Sequence, residues 1–576
     1  MSTSTTKATT SATDLDSDLG SRRITRGIFQ HSLQPLFDTL YGGRGDATPD
    51  DYAVRLHTHN IGWYSFAPYP FVQRARALFN LRKPVLAIGD CVRAIRLCQM
   101  AQGKPFPGLG LVTRMEDVLK WNARYINECM KGEEDHKVAA ADMTKLAEEA
   151  GLLLMECART LGAHPAGLRL VLQPVFELVP QFEQRHYIPW KNSRMAEMDG
   201  DREEVEAEAD GLEFTALIQH DQCEYSITEL SREVASLDTV WGHLKGFVDH
   251  NLAVYPKPSI MLPLDATEGS SQPLGMIAAT EIPARAIVSH DKTDLVIQDT
   301  ASKEPPYRCE NCWKEVLEFG PATGHVCCFH ARSPTDNVPY APTVYCSPNC
   351  QYEDRLKHRR MHRVLLTSAY EAAAAGNDFS LFVAKAMCLA DTPQAGTHPL
   401  NLRPLTSTLE QYGPQTQHHF SIINDLLVPW DTLLNLGYNI FGDRRCQTWV
   451  LLSLKHKWHH NRRVKHGLKM VFPIRAFYNH SCDSNAMVGT AIRKTKGGRI
   501  EVEKPVTEEL VFARKRIQAG EEVTISYIGS GAAKMKRAAR EKALRKVGIE
   551  VCLCPFCVKE RKEAEEKVAQ RSAKKK

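Results

Sequence analysis

The stretch FYNHSCDSNA, residues 477–486, sets Asn479, His480, Ser481 and Cys482 in succession, polar groups and a thiol that could bind a ligand, hold a metal or attack a substrate. As a nucleophile, Cys482 would need a general base and an exposed thiolate of lowered pKa. As a metal ligand it would need three companions. CLCPFC at 552–557 supplies Cys552, Cys554 and Cys557, one short of a tetrahedral all-cysteine set. Upstream, residues 309–362 carry ligand types in pairs: Cys309 and Cys312 in CENC, Cys327 and His330 in CCFH, Cys346 and Cys350 in YCSPNC, His358 and His362 in HRRMH. Zinc takes four such ligands in a tetrahedron, and C-x2-C turns and H-x3-H helical spacing each deliver two to one ion, so eight ligands imply two ions. Cys328 adjoins Cys327 and could substitute for it. Burial as small apolar residues does not account for three cysteine pairs in register. A closed four-ligand site has no open position, so such zinc ions hold shape.

The elements that must position these residues belong to a chain of 576 residues, long enough for two to four folded units. Nine of its 17 cysteines fall into tight groups after residue 308, a distribution that reads as metal sites rather than disulfides in a chain without secretory features. The N-terminus is polar and carries Asp14, Asp16 and Asp18, against a secretory or transit peptide, and there is no apolar run of eighteen residues for a membrane span. The expectation is an intracellular protein, nuclear or cytoplasmic. A net charge of +5 is too mild to indicate nucleic-acid binding, and the ligand spacing lacks the ββα finger pattern of sequence-specific DNA readers.

Residues 1–27 are Ser/Thr-rich with few bulky apolar side chains and are expected to stay disordered. From 28 to 195 the pattern is helical. Within it Phe71, Ala75, Leu78, Ala87, Cys91 and Ala94 occupy the positions of a tetratricopeptide-type helix pair, with an ordinary helical bundle as the alternative. Residues 196–211 hold eight acidic side chains against Arg202 alone and read as a solvated linker or exposed helix. PLGMIAATEIPARAIVSH, 273–290, fits short strands and a turn. The basic, His-rich run from Lys455 to His466 could form a positive rim for an acidic partner or a solvated face.

The spacing over 309–362 resembles a MYND zinc module. There Cys309, Cys312, Cys346 and Cys350 would hold one ion, and Cys327, His330, His358 and His362 the other. The order of a glycine-turn strand at 273–290, this module, a helical insert, NHSC, AGEEVTISYIG at 519–529 and C-x-C-x2-C resembles the split SET domain of the SET-and-MYND (SMYD) methyltransferases, over roughly 253–557. The N-terminal helices resemble the fungal branch. The resemblance implies a multidomain α+β protein. Its N-terminal helical region would be followed by a β-rich pseudoknotted SET domain, split by the zinc module and the insert and closed by a post-SET cysteine segment. The boundaries expected are 1–27 disordered, 28–195 helical, 196–212 acidic linker, 213–252 helical connector and 253–304 first SET part. They continue as 305–362 zinc module, 363–466 helical insert, 467–531 catalytic core, 532–560 post-SET zinc segment and 561–576 charged tail.

By the same resemblance the chain is an S-adenosylmethionine-dependent protein-lysine N-methyltransferase with about three zinc ions. Gly275, Met276, Asn479, His480 and Tyr527 would contact the cofactor, Tyr527 would be the active-site tyrosine, and Cys482 would complete the cluster with Cys552, Cys554 and Cys557. Glu521 and Glu522 would brace the strand and knot. The implied partner is a lysine-bearing protein, histone or other, with peptide docking at the MYND module or the N-terminal helices. Three positions depart from the family: Pro273 where the turn reads G-x-G, Asp483 and Ser484 where a proline precedes the asparagine, and Gly548 in place of a tyrosine. They motivate the alternative, a catalytically degenerate SET/MYND scaffold that binds partner proteins.

Overall fold

The computed structural model describes residues 48–104, 115–130, 134–197, 215–219, 259–263, 274–298, 307–316, 324–332, 339–392, 398–402, 405, 417–465, 467–489, 507–529, 531–545, 547, 549 and 551–573. The 1–27 segment, residues 198–211 of the acidic stretch, most of the 213–252 connector, Pro273, His466 and Gly548 lie outside them. The chain divides into two compact units, Met1–Phe214 and Thr215–Lys576.

The first unit is helical: α1 (Pro49–Trp63), α2 (Pro68–Asn80), α3 (Pro84–Ala101), α4 (Met115–Cys129), α5 (Glu134–Ala141), α6 (Met143–Thr160), α7 (Pro165–Leu178) and α8 (Ile188–Glu197). Proline opens α1, α2 and α3 within the first turn, where its missing N–H costs nothing. Thr48 and Asp51 close a capping box on α1. Phe71, Ala75 and Leu78 on α2 and Ala87, Cys91 and Ala94 on α3 are all buried between the helices. A polar bolt joins the same two helices. The Arg74 guanidinium on α2 donates to both carboxylate oxygens of Asp90 on α3, at 2.6 and 2.7 Å, and to Thr58 Oγ1 on α1 at 3.1 Å. Arg93 reaches the same carboxylate at 3.4 Å and is itself fully buried.

The second unit mixes helices with short antiparallel sheets, the α and β combination the sequence leads one to expect. In chain order it runs β1 (Thr215–Gln219), β2 (Ser259–Pro263), β3 (Leu274–Ala278), β4 (Ile287–Lys292), β5 (Val296–Gln298), β6 (Tyr307–Arg308), β7 (Glu315–Val316), β8 (His325–Arg332) and β9 (Pro339–Tyr345). Helices α9 (Pro348–His358), α10 (Thr367–Ala374) and α11 (Phe379–Ala390) follow, then β10 (Gln417–Ser421), α12 (Val428–Asn435) and α13 (Thr448–Asn461). The remainder is β11 (Arg462–Lys465), β12 (Leu468–Val471), β13 (Ala486–Gly489), β14 (Glu508–Ala513), β15 (Glu522–Val523), α14 (Arg537–Arg545) and α15 (Pro555–Ala573). Three-stranded sheets form in the orders β15-β3-β2, β13-β14-β4 and β11-β12-β5, so each joins chain from before residue 300 to chain from after 460, two earlier strands with one later in the first sheet and one earlier with two later in the others. One core, including Met276, Val288, Ile474, Phe477, Val511, Val523 and Ile525, fills the space between the first two.

The basic run is not an open rim. Lys455 pairs with Asp425, Lys457 donates to the Leu405 carbonyl, Arg462 donates to Asp378 and Arg463 pairs with Glu509. These four cations are spent on the unit's own acceptors, which leaves them less free to meet an acidic partner.

The Arg74–Asp90–Arg93 bolt yields a prediction. Asp90→Ala leaves two buried guanidinium groups without their carboxylate and should cost the helical unit about 3–5 kcal/mol. Denaturant unfolding followed by circular dichroism on the full chain measures it, and a loss below about 1 kcal/mol would mean water takes over the carboxylate's role.

Candidate functional site

The residues of the NHSC stretch are placed by pairing with a segment that follows β15. Ile525 N–H donates to the Asn479 carbonyl and Ser481 N–H to the Ile525 carbonyl, both at 3.0 Å, so the two segments run parallel across His480 and Ile525. Asn485, 4% exposed, clamps the crossing. Its Oδ1 accepts from Thr524 N at 2.8 Å, and its Nδ2 donates to the Glu522 carbonyl at 2.7 Å and Glu521 Oε1 at 2.9 Å. Glu521 also accepts from Gln518 N at 2.9 Å, and Glu522 accepts from Asn479 Nδ2 at 2.9 Å. Both glutamates therefore brace the strand.

This crossing carries Tyr527 to the Tyr478 carbonyl, to which its hydroxyl donates at 2.8 Å. The Tyr527 backbone N–H donates to His480 Nδ1 at 3.1 Å, while His480 Nε2 lies 3.2 Å from Cys482 Sγ. Both ring nitrogens of His480 are engaged within the fold, and burial pushes its pKa down to about 4, so the ring is neutral. Desolvation pushes the Tyr527 phenol up to about 12, with Arg475 pulling the other way. The phenol is thus a neutral hydrogen-bonding group, in a residue that is 38% exposed as a whole. Gly275 and Met276 lie in the central strand β3. Met276 pairs with Val523 and Met261 and is wholly buried in the apolar core. Ser526 Oγ, next to Tyr527, is buried with no partner among the described residues, a polar atom available to a bound group.

The turn leading into the stretch rests on Asp291 of β4. Its Oδ2 accepts the N–H groups of Ile474 and Arg475 at 2.8 Å each, and its register partner Glu509 accepts from the Arg475 guanidinium at 2.9 Å. Burial raises the Asp291 carboxyl to about 7, opposed by the two backbone donors and helped by the nearby Glu509.

Three groups of metal-ligand atoms come together, each with all its atoms within 4.8 Å of one another: Cys309, Cys312, Cys346 and Cys350; Cys327, Cys328, His358 and His362; Cys482, Cys552, Cys554 and Cys557. Sulfurs 2.3 Å from one tetrahedral ion stand about 3.8 Å apart, whereas a disulfide holds them near 2.05 Å. The distances are 3.4 Å for Cys312 to Cys346, 3.6 Å for Cys346 to Cys350, 3.5 Å for Cys557 to Cys482 and 4.0 Å for Cys482 to Cys552. The donor sets therefore fit zinc. The local reasons are short-range. Ser347 caps α9 by accepting Cys350 N, and Pro348 opens it, which sets Cys350 in its first turn and His358 at its end. In the third group burial would raise Cys554, but the N–H groups of Cys482 and Cys557 bring its thiol down to about 7.

In the second group the atoms that come together are those of Cys327, Cys328, His358 and His362, and His330 is not among them. The register of β8 against β9 shifts between Val326 and Cys328. Consecutive side chains of a regular strand point to opposite faces, and a bulge breaks that alternation, which puts the sulfurs of Cys327 and Cys328 on one side. His330 is buried behind them, its Nε2 2.5 Å from Thr343 Oγ1 and 3.6 Å from Cys328 Sγ, its Nδ1 2.9 Å from the Val364 carbonyl.

Residues 274–528 match the family model of the SET domain, a span that begins at β3 and ends just past Tyr527. The match supports a SET-domain methyltransferase family; SET domains are generally lysine methyltransferases, and those methyltransferases use S-adenosylmethionine. No curated protein matches the chain. No helix among the described residues is long and apolar enough to cross a membrane.

Two predictions follow from this geometry. The chain should carry about three zinc ions; Cys482→Ser and Cys328→Ser should each lose one, while His330→Ala should keep the full count, as read by elemental analysis. An Asp291 carboxyl near the usual 3.9 unfolded and about 7 folded takes up a proton on folding. Its contribution to stability is full below about pH 4 and is lost as pH rises through about 7. Asp291→Asn keeps an acceptor for both N–H groups, so it should flatten this slope and raise the unfolding midpoint at pH 8 relative to the parent chain.

Proposed function

We propose that the chain is an S-adenosylmethionine-dependent protein-lysine N-methyltransferase of SET-and-MYND type. The observation that carries this reading is the neutral Tyr527 hydroxyl tied to the Tyr478 carbonyl near the end of the SET-matching segment. Because the phenol donates to Tyr478, its oxygen lone pairs are left to accept from an incoming amine. S-adenosylmethionine, when bound, supplies a methyl group on a positive sulfonium. The residues proposed to hold it are Gly275 and Met276 through their backbone, the segment at Asn479 and His480, and Tyr527, with Ser526 Oγ as a further polar contact. Asn479 and His480 contribute mainly through their main chain, because Glu522, Tyr527 and Cys482 engage their side chains.

A lysine amine has an ordinary pKa near 10.4 and must lose its proton before it can attack. A narrow apolar channel and a nearby positive charge disfavour the ammonium form, so alignment rather than a strong base carries the chemistry. The zinc ions hold shape: two in a MYND-like module over 309–362, and one joining Cys482 to the post-SET cysteines beside the catalytic segment. The substrate is a lysine-bearing protein, histone or other, in the nucleus or cytoplasm, and the zinc module or the N-terminal helices dock peptide partners.

The test is transfer of a tritiated methyl group from labelled S-adenosylmethionine to an array of lysine-containing peptides. Tyr527→Phe should lower transfer by about a hundredfold, the scale of a lost alignment. Equal labelling by both chains overturns the role given to Tyr527. No transfer by the parent chain, with no heat of S-adenosylmethionine binding in calorimetry, leaves the partner-binding scaffold in its place.

A further inference from the structure

Strand β4 buries two polar side chains, Ser289 and Asp291, which are 0% and 2% exposed. Residues two apart on a strand share a face, so both look the same way. A hydroxyl and a carboxylate in such a place are costly unless they are hydrogen-bonded.

Both are spent on one short segment, 474–478, which lies 183 to 189 residues further along the chain. Asp291 Oδ2 accepts the N–H groups of Ile474 and Arg475 at 2.8 Å each, and Ser289 Oγ accepts the Tyr478 hydroxyl at 2.7 Å. Between these anchorages the chain makes a 3-10 turn, Arg475–Phe477, closed by Phe477 N–H on the Ile474 carbonyl and Tyr478 N–H on the Arg475 carbonyl. The N–H groups that open a helical turn have no acceptor within it. Asp291 supplies theirs from another element, as an N-cap side chain does from its own. Tyr478, itself 0% exposed, is held at two points: its ring hydroxyl on β4, and its carbonyl by the Tyr527 hydroxyl at 2.8 Å.

We propose that Ser289 and Asp291 are positioning residues for methyl transfer: from one face of β4 they fix the two ends of the 474–478 turn, and with them the Tyr478 carbonyl that holds the Tyr527 hydroxyl. The proposal rests on the methyltransferase reading and deepens it by naming what aligns the tyrosine. Neither side chain touches the reacting atoms. A misplacement of about 1 Å at an aligned group can cost about a hundredfold in rate, so a mount two contacts away carries weight.

The experiment uses the full chain with labelled S-adenosylmethionine and one methyl-accepting peptide. Ser289→Ala and Tyr478→Phe remove the same hydrogen bond from opposite sides. Each should lower kcat, by up to about a hundredfold, with KM unchanged, and the double variant should be no worse than the lower single. Asp291→Ala should lower kcat likewise, and Asp291→Asn, which keeps the acceptor, should restore most of it. Lys292→Met is the control, since Lys292 is exposed on the other face of β4. Hydrogen exchange over 474–478 should quicken in Asp291→Ala and return to the parent rate in Asp291→Asn, while calorimetric affinity for S-adenosylmethionine stays that of the parent in every variant. Unchanged kcat in Ser289→Ala and Tyr478→Phe overturns the proposal, even if exchange quickens. So does a loss of kcat that comes with loss of cofactor affinity and is not recovered by Asp291→Asn, since that is a general loss of structure. If the parent chain neither transfers methyl groups nor binds the cofactor, the methyltransferase reading falls, and this role with it.

Discussion

A single parallel crossing, 479–481 against Ile525, determines where every other group of the candidate site can be. Two backbone hydrogen bonds are a thin tie between distant segments, and the loop-closure entropy must be met elsewhere. Asn485 meets part of it, because a buried carboxamide that satisfies both its oxygen and its nitrogen on the partner segment can tolerate only one register. That register puts the Tyr478 carbonyl in front of the Tyr527 hydroxyl and His480 between Tyr527 and Cys482. The 479–482 segment and the cysteine cluster are consequently one mechanical piece.

Two carboxylates in the second unit each gather several partners, Asp378 in the interior and Asp391 nearer the surface. Asp378 gathers the Trp458 indole N–H, Arg462 and Lys469; Asp391 gathers Tyr438, Arg360 and Arg445. Each hub ties the helical insert together or joins it to strands β11 and β12. A run of basic residues can thus look like a docking face in sequence and be internal mortar in the fold, since sequence shows the cations but not the carboxylates that meet them. Isolated surface pairs would contribute little, but several partners on one buried carboxylate hold an element in place.

The parts of the site that could be read in the sequence are those whose neighbours are local. Cys309 with Cys312, Cys346 with Cys350, and Cys552 with Cys554 and Cys557 announce themselves by spacing. So do the strand-bracing glutamates beside Tyr527. Cys482 could be assigned only through the family resemblance, because its partners lie 70 residues and more away. That Cys328 rather than His330 comes together with Cys327, His358 and His362 was hidden because a bulge, not the residue types, decides which way each side chain points. Ser289, Asp291, Asn485 and Glu509 act across the fold, and an isolated hydroxyl, carboxylate or amide in a sequence carries no mark of what it will face. Asn485 is the exception in part, since it lies three residues past the NHSC segment and could have been suspected there.

The distance along the chain between Cys482 and Cys552 also has a meaning in time. A ribosome adding roughly 5–20 residues per second delivers Cys552 some 4–14 s after Cys482. Over that interval the 479–482 segment exists with an incomplete thiol set and without α14 and α15. A nascent chain therefore holds Cys482 without its companions until Cys552, Cys554 and Cys557 have been made.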